Sequence, residues 1–235
     1  MENGRNKILE INYPLDWNFM FVFKKILKYL EKNGFKNKIL TVYWQSMWWK
    51  VALYLTYFLL KRWFKVEKII LNSSVIDKQT VVLPLWIPSS ILAKLYEILR
   101  KIPSKNLIWI LSAKPDDPDL EIDRKELIKL VDNLKAYNVK YKQLKTRIDF
   151  IKSKFNKKVE KLIKEHNIPI FVIRSKPSKK NLDNDWMIKH SFLEKLLKMF
   201  PGQIKYIDVP SWHCQVPEKN KLYAKALSKL LTEKQ

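Results

Sequence analysis

The chain has 235 residues, 47% hydrophobic and 13% aromatic, so it can bury a real core and global disorder is excluded. Lys and Arg number 46 against 23 Asp and Glu, a net charge of +23 that favours anionic partners but is equally what an AT-rich gene encodes. The single cysteine, Cys214, excludes an internal disulfide framework and cysteine-rich zinc modules. No signal-peptide pattern is visible at the N-terminus, so a cytoplasmic protein is expected.

The first third of the chain alternates between strand and helix patterns. Short β-rich runs predict strands at residues 7–13, 38–43 and 66–72, and apolar residues at helical spacing predict helices at 19–30 and 51–64. This alternation is typical of a mostly parallel sheet with helices on both faces. The sequence therefore predicts an α/β fold.

The middle of the chain is helical, and alternation then resumes. Helical patterns occupy residues 90–101, 123–134 and 141–164, with a turn-rich segment at 112–119. The last part predicts strands at 168–174 and 204–209 and helices at 188–200 and 219–231. We expect three parts: residues 1–76 and 168–235 forming the α/β core, and residues 77–167 forming a helical insert.

Two features could indicate other classes of protein. A row of lysines could bind nucleic acid, but its spacing is more typical of a solvated helix face: Lys154, Lys157, Lys158, Lys161 and Lys164. Residues 39–60 are strongly apolar, but Gln45 and Lys50 interrupt them, which argues against a membrane span. A non-catalytic basic protein that binds nucleic acid or an anionic surface remains the alternative interpretation.

A serine, two acids and a histidine follow predicted strands in that order. Ser46 lies between a strand and an apolar helix, Asp183 and Asp185 come after the strand at 168–174, and His213 comes after the strand at 204–209. A serine hydroxyl needs a base within hydrogen-bond reach, and that base needs a third group to fix its tautomer. The order predicts such a triad at the carboxyl edge of the sheet.

From about residue 7 to residue 231 the sequence resembles the α/β-hydrolase superfamily, whose members include esterases and lipases. The resemblance implies that Ser46 is the nucleophile, His213 the base and Asp185 the acid, with Asp183 as the alternative acid and Asp77 a weaker one. It also implies that the Met47 N–H stabilises the oxyanion and that the helical insert is a cap. An ester or related small acyl substrate is expected, without a cofactor. The remaining histidines, His166 and His190, have no ligand-spaced partners, which argues against a metal.

The sequence departs from the family where glycine is expected. The family motif is Gly-x-Ser-x-Gly, often with another glycine, yet tryptophan stands at those positions and before His213: Trp44, Trp48, Trp49 and Trp212. The whole chain has 3 Gly and 9 Trp. One explanation is a pseudoenzyme in which the nucleophile elbow, the strand-to-helix turn around Ser46, has been rebuilt around tryptophan. The other is that the gene comes from a lineage that reads UGA as glycine and was translated with a code that reads UGA as tryptophan. We favour the second explanation because it accounts both for the small number of glycines and for the large number of tryptophans.

A second departure concerns the start of the chain. In the family several strands precede the one that residues 7–13 resemble, and a loop after one of them usually carries His-Gly and supplies a second oxyanion N–H. No such motif occurs here, so an N-terminally truncated core is expected. Loss of one oxyanion donor costs on the order of 10²-fold to 10³-fold in turnover. The chain as written is therefore expected to be a poor catalyst.

Overall fold

The computed structural model describes residues 19–45, 49–72, 87–106, 141–175, 191–209 and 221–232, together with residues 128, 129 and 132. Four strands form the sheet: β1 (Ile39–Gln45), β2 (Lys65–Asn72), β3 (Ile170–Ser175) and β4 (Ile204–Val209). Seven helices are described in full: α1 (Phe19–Lys32), α2 (Trp49–Lys61), α3 (Ser89–Leu99), α4 (Tyr141–Lys152), α5 (Lys157–Glu165), α6 (Ser191–Met199) and α7 (Lys221–Thr232).

The sheet is parallel, and its spatial order is β1-β2-β3-β4. Each described strand is preceded by a helix, and connections through helices are what parallel neighbours require. This confirms the predicted α/β architecture of a parallel sheet with flanking helices. The predicted strand at 7–13, the turn-rich segment at 112–119 and most of the predicted helix at 123–134 lie outside the described residues.

The central strands are buried on both faces. On β2, Ile69 and Leu71 join the larger core, while Ile70 between them joins a smaller core on the other side. Side chains alternate across a strand, so consecutive apolar residues supply both faces. Helices α1, α2, α5 and α6 cover the larger core, and α7 covers the smaller one.

Residues 141–164 form two helices, so the prediction of one long helix was wrong. Helix α4 ends at Lys152, and α5 begins after Asn156, whose side chain accepts a hydrogen bond from the Lys158 N–H at 2.9 Å. An asparagine that satisfies a first-turn N–H favours a new helix start over continuation of the old one. The break lets α5 pack its buried Val159 and Ile163 into the larger core.

The lysine row lies on the solvated side of α5 and the turn before it, as predicted. Two of its members pair with acids one turn away, Lys161 with Glu165 at 3.7 Å and Lys164 with Glu160 at 2.6 Å. Such pairs reduce the positive field of the face and stabilise an exposed helix modestly.

The apolar segment 39–60 folds as strand β1 followed by most of α2, not as one long helix. Across the described ranges, no helix combines the length and the apolar character needed to cross a bilayer.

A buried lysine fixes α7 against the sheet. Lys68 on β2 is almost completely buried, and its Nζ donates to the carbonyl oxygens of Leu230 and Leu231 at 3.1 and 3.4 Å. The last carbonyls of a helix lack partners within the helix, and they carry its negative dipole end. Lys68, on strand β2, therefore caps the C-terminus of α7.

Candidate active site

The candidate site lies along the carboxyl edge of the sheet, where all four strands end close together in register. Gln45 pairs with Asn72, Asn72 pairs with Ile173, and Ser175 pairs with Val209. Segments that follow these strands leave the sheet on one side, which is where α/β sheets place their ligands. The strand order puts β1 and β4 three spacings apart, about 14 Å.

Ser46 and Met47 belong to the short segment between β1 and α2. Strand β1 ends at Gln45 and α2 begins at Trp49, which leaves only residues 46–48 between them. These three residues lie outside the described ones, but the elements on either side agree with the predicted strand-turn-helix.

The acids and the histidine also lie outside the described residues, each in a segment that starts at the same edge. Asp183 and Asp185 fall between β3 and α6, and His213 falls four positions after Val209, between β4 and α7. Four extended residues span about 13–14 Å. A chain that leaves β4 toward β1 can therefore bring the residue-213 backbone close to the end of β1.

A hydrogen bond between two tyrosines ties α7 to β1. The hydroxyls of Tyr43 and Tyr223 lie 3.0 Å apart, and Tyr223 is buried. Tyr43 is three positions before Ser46, and Tyr223 lies in the first turn of α7. The segment 210–220 therefore joins the end of β4 to the first turn of α7, whose Tyr223 hydroxyl reaches that of Tyr43 on β1. That segment contains His213.

An ion pair holds β3 and β4 together at the same edge. Arg174 and Asp208 stand opposite each other in the register, and the guanidinium donates from Nε at 2.6 Å and from its NH2 group at 2.7 Å. Arg174 is buried and its guanidinium also lies over the Tyr206 ring, 5.5 Å from the centroid. A bidentate pair fixes both position and angle. It lies one residue before the ends of the strands that precede the acid and histidine segments.

The start of α2 is joined to the insert. Lys50 is 3% exposed, and its Nζ donates to the Phe150 carbonyl oxygen at 3.2 Å and to the Ser153 carbonyl oxygen. The Phe155 ring packs on Trp49 with centroids 4.8 Å apart and on Tyr54 with centroids 5.8 Å apart. The turn after α4 is thus anchored on the helix that follows Ser46.

This anchor predicts that Lys50→Met lowers the free energy of unfolding by about 1–3 kcal/mol, because part-buried carbonyls at the end of α4 lose their donor while the apolar stem is kept. Urea unfolding followed by tryptophan fluorescence measures the change. The matched variant Lys24→Met, on the exposed side of α1, is expected to change stability by less than about 0.5 kcal/mol. Equal effects of the two substitutions would contradict the assignment.

Two of the tryptophans at family glycine positions are described. Trp44 lies on β1 opposite Leu71 and packs partly buried against the larger core. Trp49 is 1% exposed at the start of α2, and among the described residues its indole N–H has no hydrogen-bond acceptor. A buried donor without an acceptor is costly. Trp48 and Trp212 lie outside the described residues.

Two groups near this junction have shifted pKa values. Burial raises the pKa of the Tyr54 hydroxyl, and a hydrogen bond with the Asn156 backbone partly opposes the shift. A hydrogen bond from Lys145 lowers the pKa of Asp149, and one from Ser89 on α3 lowers it further. Because the folded pKa of Asp149 is below its unfolded value, its contribution to the α3–α4 contact is present above the unfolded pKa. That contribution is lost as the pH falls through the folded pKa.

No three His, Cys, Asp or Glu side chains within the described ranges are grouped as metal ligands would be. The described part of the edge adds residues that sequence reasoning missed, namely Tyr223 and the Arg174–Asp208 pair. The Arg and Asp occur at corresponding ends of two predicted parallel strands, which is the one sequence signal that could have indicated their pairing.

No protein-family model matches the sequence, and no curated protein matches it either. Solved structures do match its fold. A homoserine O-acetyltransferase from Staphylococcus aureus superposes with a TM-score of 0.58 at 14% identity, covering 95% of this chain and 67% of its own. A carboxylesterase of Nitrososphaera gargenis gives 0.54 at 12%, with 93% and 73% covered.

A third match names the fold directly. A putative alpha/beta hydrolase family protein from Desulfitobacterium hafniense superposes with a TM-score of 0.52 at 12% identity, covering 92% of this chain and 77% of its own. Identities this low establish architecture alone. Together with the parallel sheet and its flanking helices, these matches show that the chain has the α/β-hydrolase fold.

Proposed function

We propose that the protein is a serine hydrolase that cleaves an ester or related acyl bond. The observation that supports the proposal is the parallel register of the sheet, because β1 and β4, the strands before Ser46 and His213, end at the same edge. Ser46 follows β1 directly. The two proposed residues, 167 positions apart in the chain, thus belong to segments that begin at one edge of the sheet.

In this proposal each residue has one role. Ser46 attacks the acyl carbon, and His213 accepts its proton and returns it to the leaving group. Asp185 orients the imidazole, with Asp183 as the alternative acid. The backbone N–H of Met47, the residue directly after the nucleophile, donates to the oxyanion of the tetrahedral intermediate.

We further propose that the part of residues 77–167 that precedes α5 acts as a cap over this edge, whereas α5 itself packs into the larger core. Helix α3 carries exposed Ile91, Leu95 and Ile98 at spacings of four and three residues, which places them along one face. An apolar face on the cap favours a substrate with an apolar acyl or alcohol group. The fold similarity to a carboxylesterase agrees with this chemistry.

A fluorophosphonate probe, which forms a covalent bond with activated serines, tests the proposal. The version with glycine at positions 44, 48, 49 and 212 is expected to be labelled, because glycine allows the strained backbone of the elbow. Its Ser46→Ala variant is expected to show no labelling. An unlabelled glycine version, or labelling that persists in the alanine variant, would contradict the proposal.

The alternative of a basic binding protein makes a different prediction. Such a protein binds nucleic acid with an affinity that falls steeply as salt is raised, and it has no need of Ser46. A glycine version that binds DNA in this way and ignores the probe would favour that alternative.

A further inference from the structure

Helix α2 ends in a hydrogen-bond pattern that requires one residue with a left-handed backbone. The Phe64 N–H donates to the Leu59 carbonyl at 3.1 Å, and the Trp63 N–H donates to the Leu60 carbonyl at 3.0 Å. These two bonds define the Schellman motif. In this motif the first residue beyond the C-cap of the helix has a positive φ and is usually glycine. Here that residue is Trp63, with a φ of 64°.

Tryptophan is an unfavourable residue for this backbone conformation. A side chain with a Cβ is strained at positive φ because the Cβ approaches the backbone carbonyl. The Trp63 side chain is 84% exposed, so burial of its ring does not compensate for the strain. The motif itself is otherwise regular, since Phe64 and Leu59 are both buried in the larger core.

Other helices show what such a position normally holds. Helix α5 ends with the same two bonds, Ile168 to Ile163 and Asn167 to Lys164, and its left-handed residue is Asn167 with a φ of 48°. After α1 the left-handed residue is Gly34, and after α6 it is Gly202. Among the described residues, these three and Trp63 are the ones with positive φ. Glycine and asparagine tolerate this conformation, whereas tryptophan does not.

We propose that residue 63 is glycine in the natural protein, because the source cells read a UGA codon at this position as glycine. The tryptophan then arises from translating that codon with a code that reads UGA as tryptophan. The inference rests on backbone conformation at the far end of α2, about 20 Å along the helix from the elbow. It needs neither the family motif nor the proposed hydrolase activity. It extends the hypothesis that UGA encodes glycine to a position that is not one of the glycine positions of the family motif.

The residue can be identified directly in the natural protein. Mass spectrometry of the protease-derived peptide that spans position 63, from protein isolated from the source cells, is expected to give the mass for glycine, with UGA in the gene. A peptide with tryptophan at position 63, or a UGG codon there, would overturn the proposal. Neither result bears on probe labelling at Ser46, so this proposal and the proposed function fail separately.

Unfolding temperatures of the recombinant chain test the physical basis. Trp63→Gly is expected to raise the Tm by roughly 2–6 °C, and Trp63→Ala by less, because alanine keeps the strained Cβ. At an ordinary helix position alanine is the more stable of the two. The reverse control is Gly34→Ala, which is expected to lower the Tm although nothing lies within 4 Å of the added Cβ. A Trp63→Ala variant as stable as Trp63→Gly would contradict the inference.

Discussion

Replacing Ser46 by alanine in the version with glycine at positions 44, 48, 49 and 212 is expected to lower kcat for ester hydrolysis by roughly 10⁴-fold to 10⁶-fold. The hydroxyl is the proposed nucleophile, so its loss leaves only transition-state binding by the remaining groups. A chromogenic ester with a short acyl chain measures the rate. Ser228→Ala, at an exposed serine on α7, is the matched control and is expected to leave the rate unchanged.

Combining this change with His213→Ala tests whether the two residues act as a unit. Each single variant removes the same nucleophilic step, so the double variant is expected to be no slower than the slower single one. Multiplicative losses would indicate that Ser46 and His213 act separately, and a Ser46→Ala variant within about tenfold of the parent would remove the triad altogether. Asp185→Asn and Asp183→Asn compared in parallel identify the acid, since only one is expected to lower kcat strongly.

Replacing Asp208 by alanine is expected to lower the free energy of unfolding by about 2–4 kcal/mol, the largest stability change that we predict for one substitution. Arg174 is only 7% exposed, so its guanidinium would lose both carboxylate bonds and stay buried. The Asp208 side chain is 30% exposed, so water reaches the site and the loss is expected below that of a fully buried pair.

The reciprocal change tests how much of the loss comes from a buried guanidinium that has lost its carboxylate. Arg174→Met leaves Asp208 with access to water, so it is expected to cost less than Asp208→Ala. The double variant Arg174→Met/Asp208→Leu is expected to recover most of the stability because no charge remains buried. Urea unfolding of the four proteins measures the cycle. Additive losses in the double variant would contradict the pairing as described.

The sequence predicted most of the described fold because its patterns are strong and local. Residues 66–72 combine β-branched residues with apolar character on both faces, and the structure has a strand at Lys65–Asn72 buried on both sides. The helix predicted at 19–30 corresponds to α1, whose buried residues recur every three or four positions. Periodicity of this kind directly reports which face is buried.

Other features depend on contacts between distant parts of the chain. Lys50 and Lys68 look like interruptions of apolar segments, yet each donates to the carbonyls at the end of a helix more than 90 positions away. The break between α4 and α5 also depends on tertiary packing, since Phe155 in that turn lies against Trp49 and Tyr54. Local propensity does not contain this information.

For the candidate site, chain order was enough to predict which strands precede the serine, the acids and the histidine. It was not enough to predict how the edge is held. The bond between Tyr43 and Tyr223 joins residues 180 positions apart, and Arg174 and Asp208 meet only because β3 and β4 are neighbours in register. Such pairs follow from the spatial order of the strands, which the sequence analysis did not predict.

The central claim is that the hydroxyl at position 46 and the imidazole at position 213 meet above the carboxyl edge of the sheet. A crystal structure of the version with glycine at positions 44, 48, 49 and 212 measures it as the distance from Ser46 Oγ to the nearer imidazole nitrogen. We expect about 2.6–3.2 Å, within reach of a single hydrogen bond. Side chains that lie at opposite ends of the sheet, or that are separated by the width of several strands, would contradict the account.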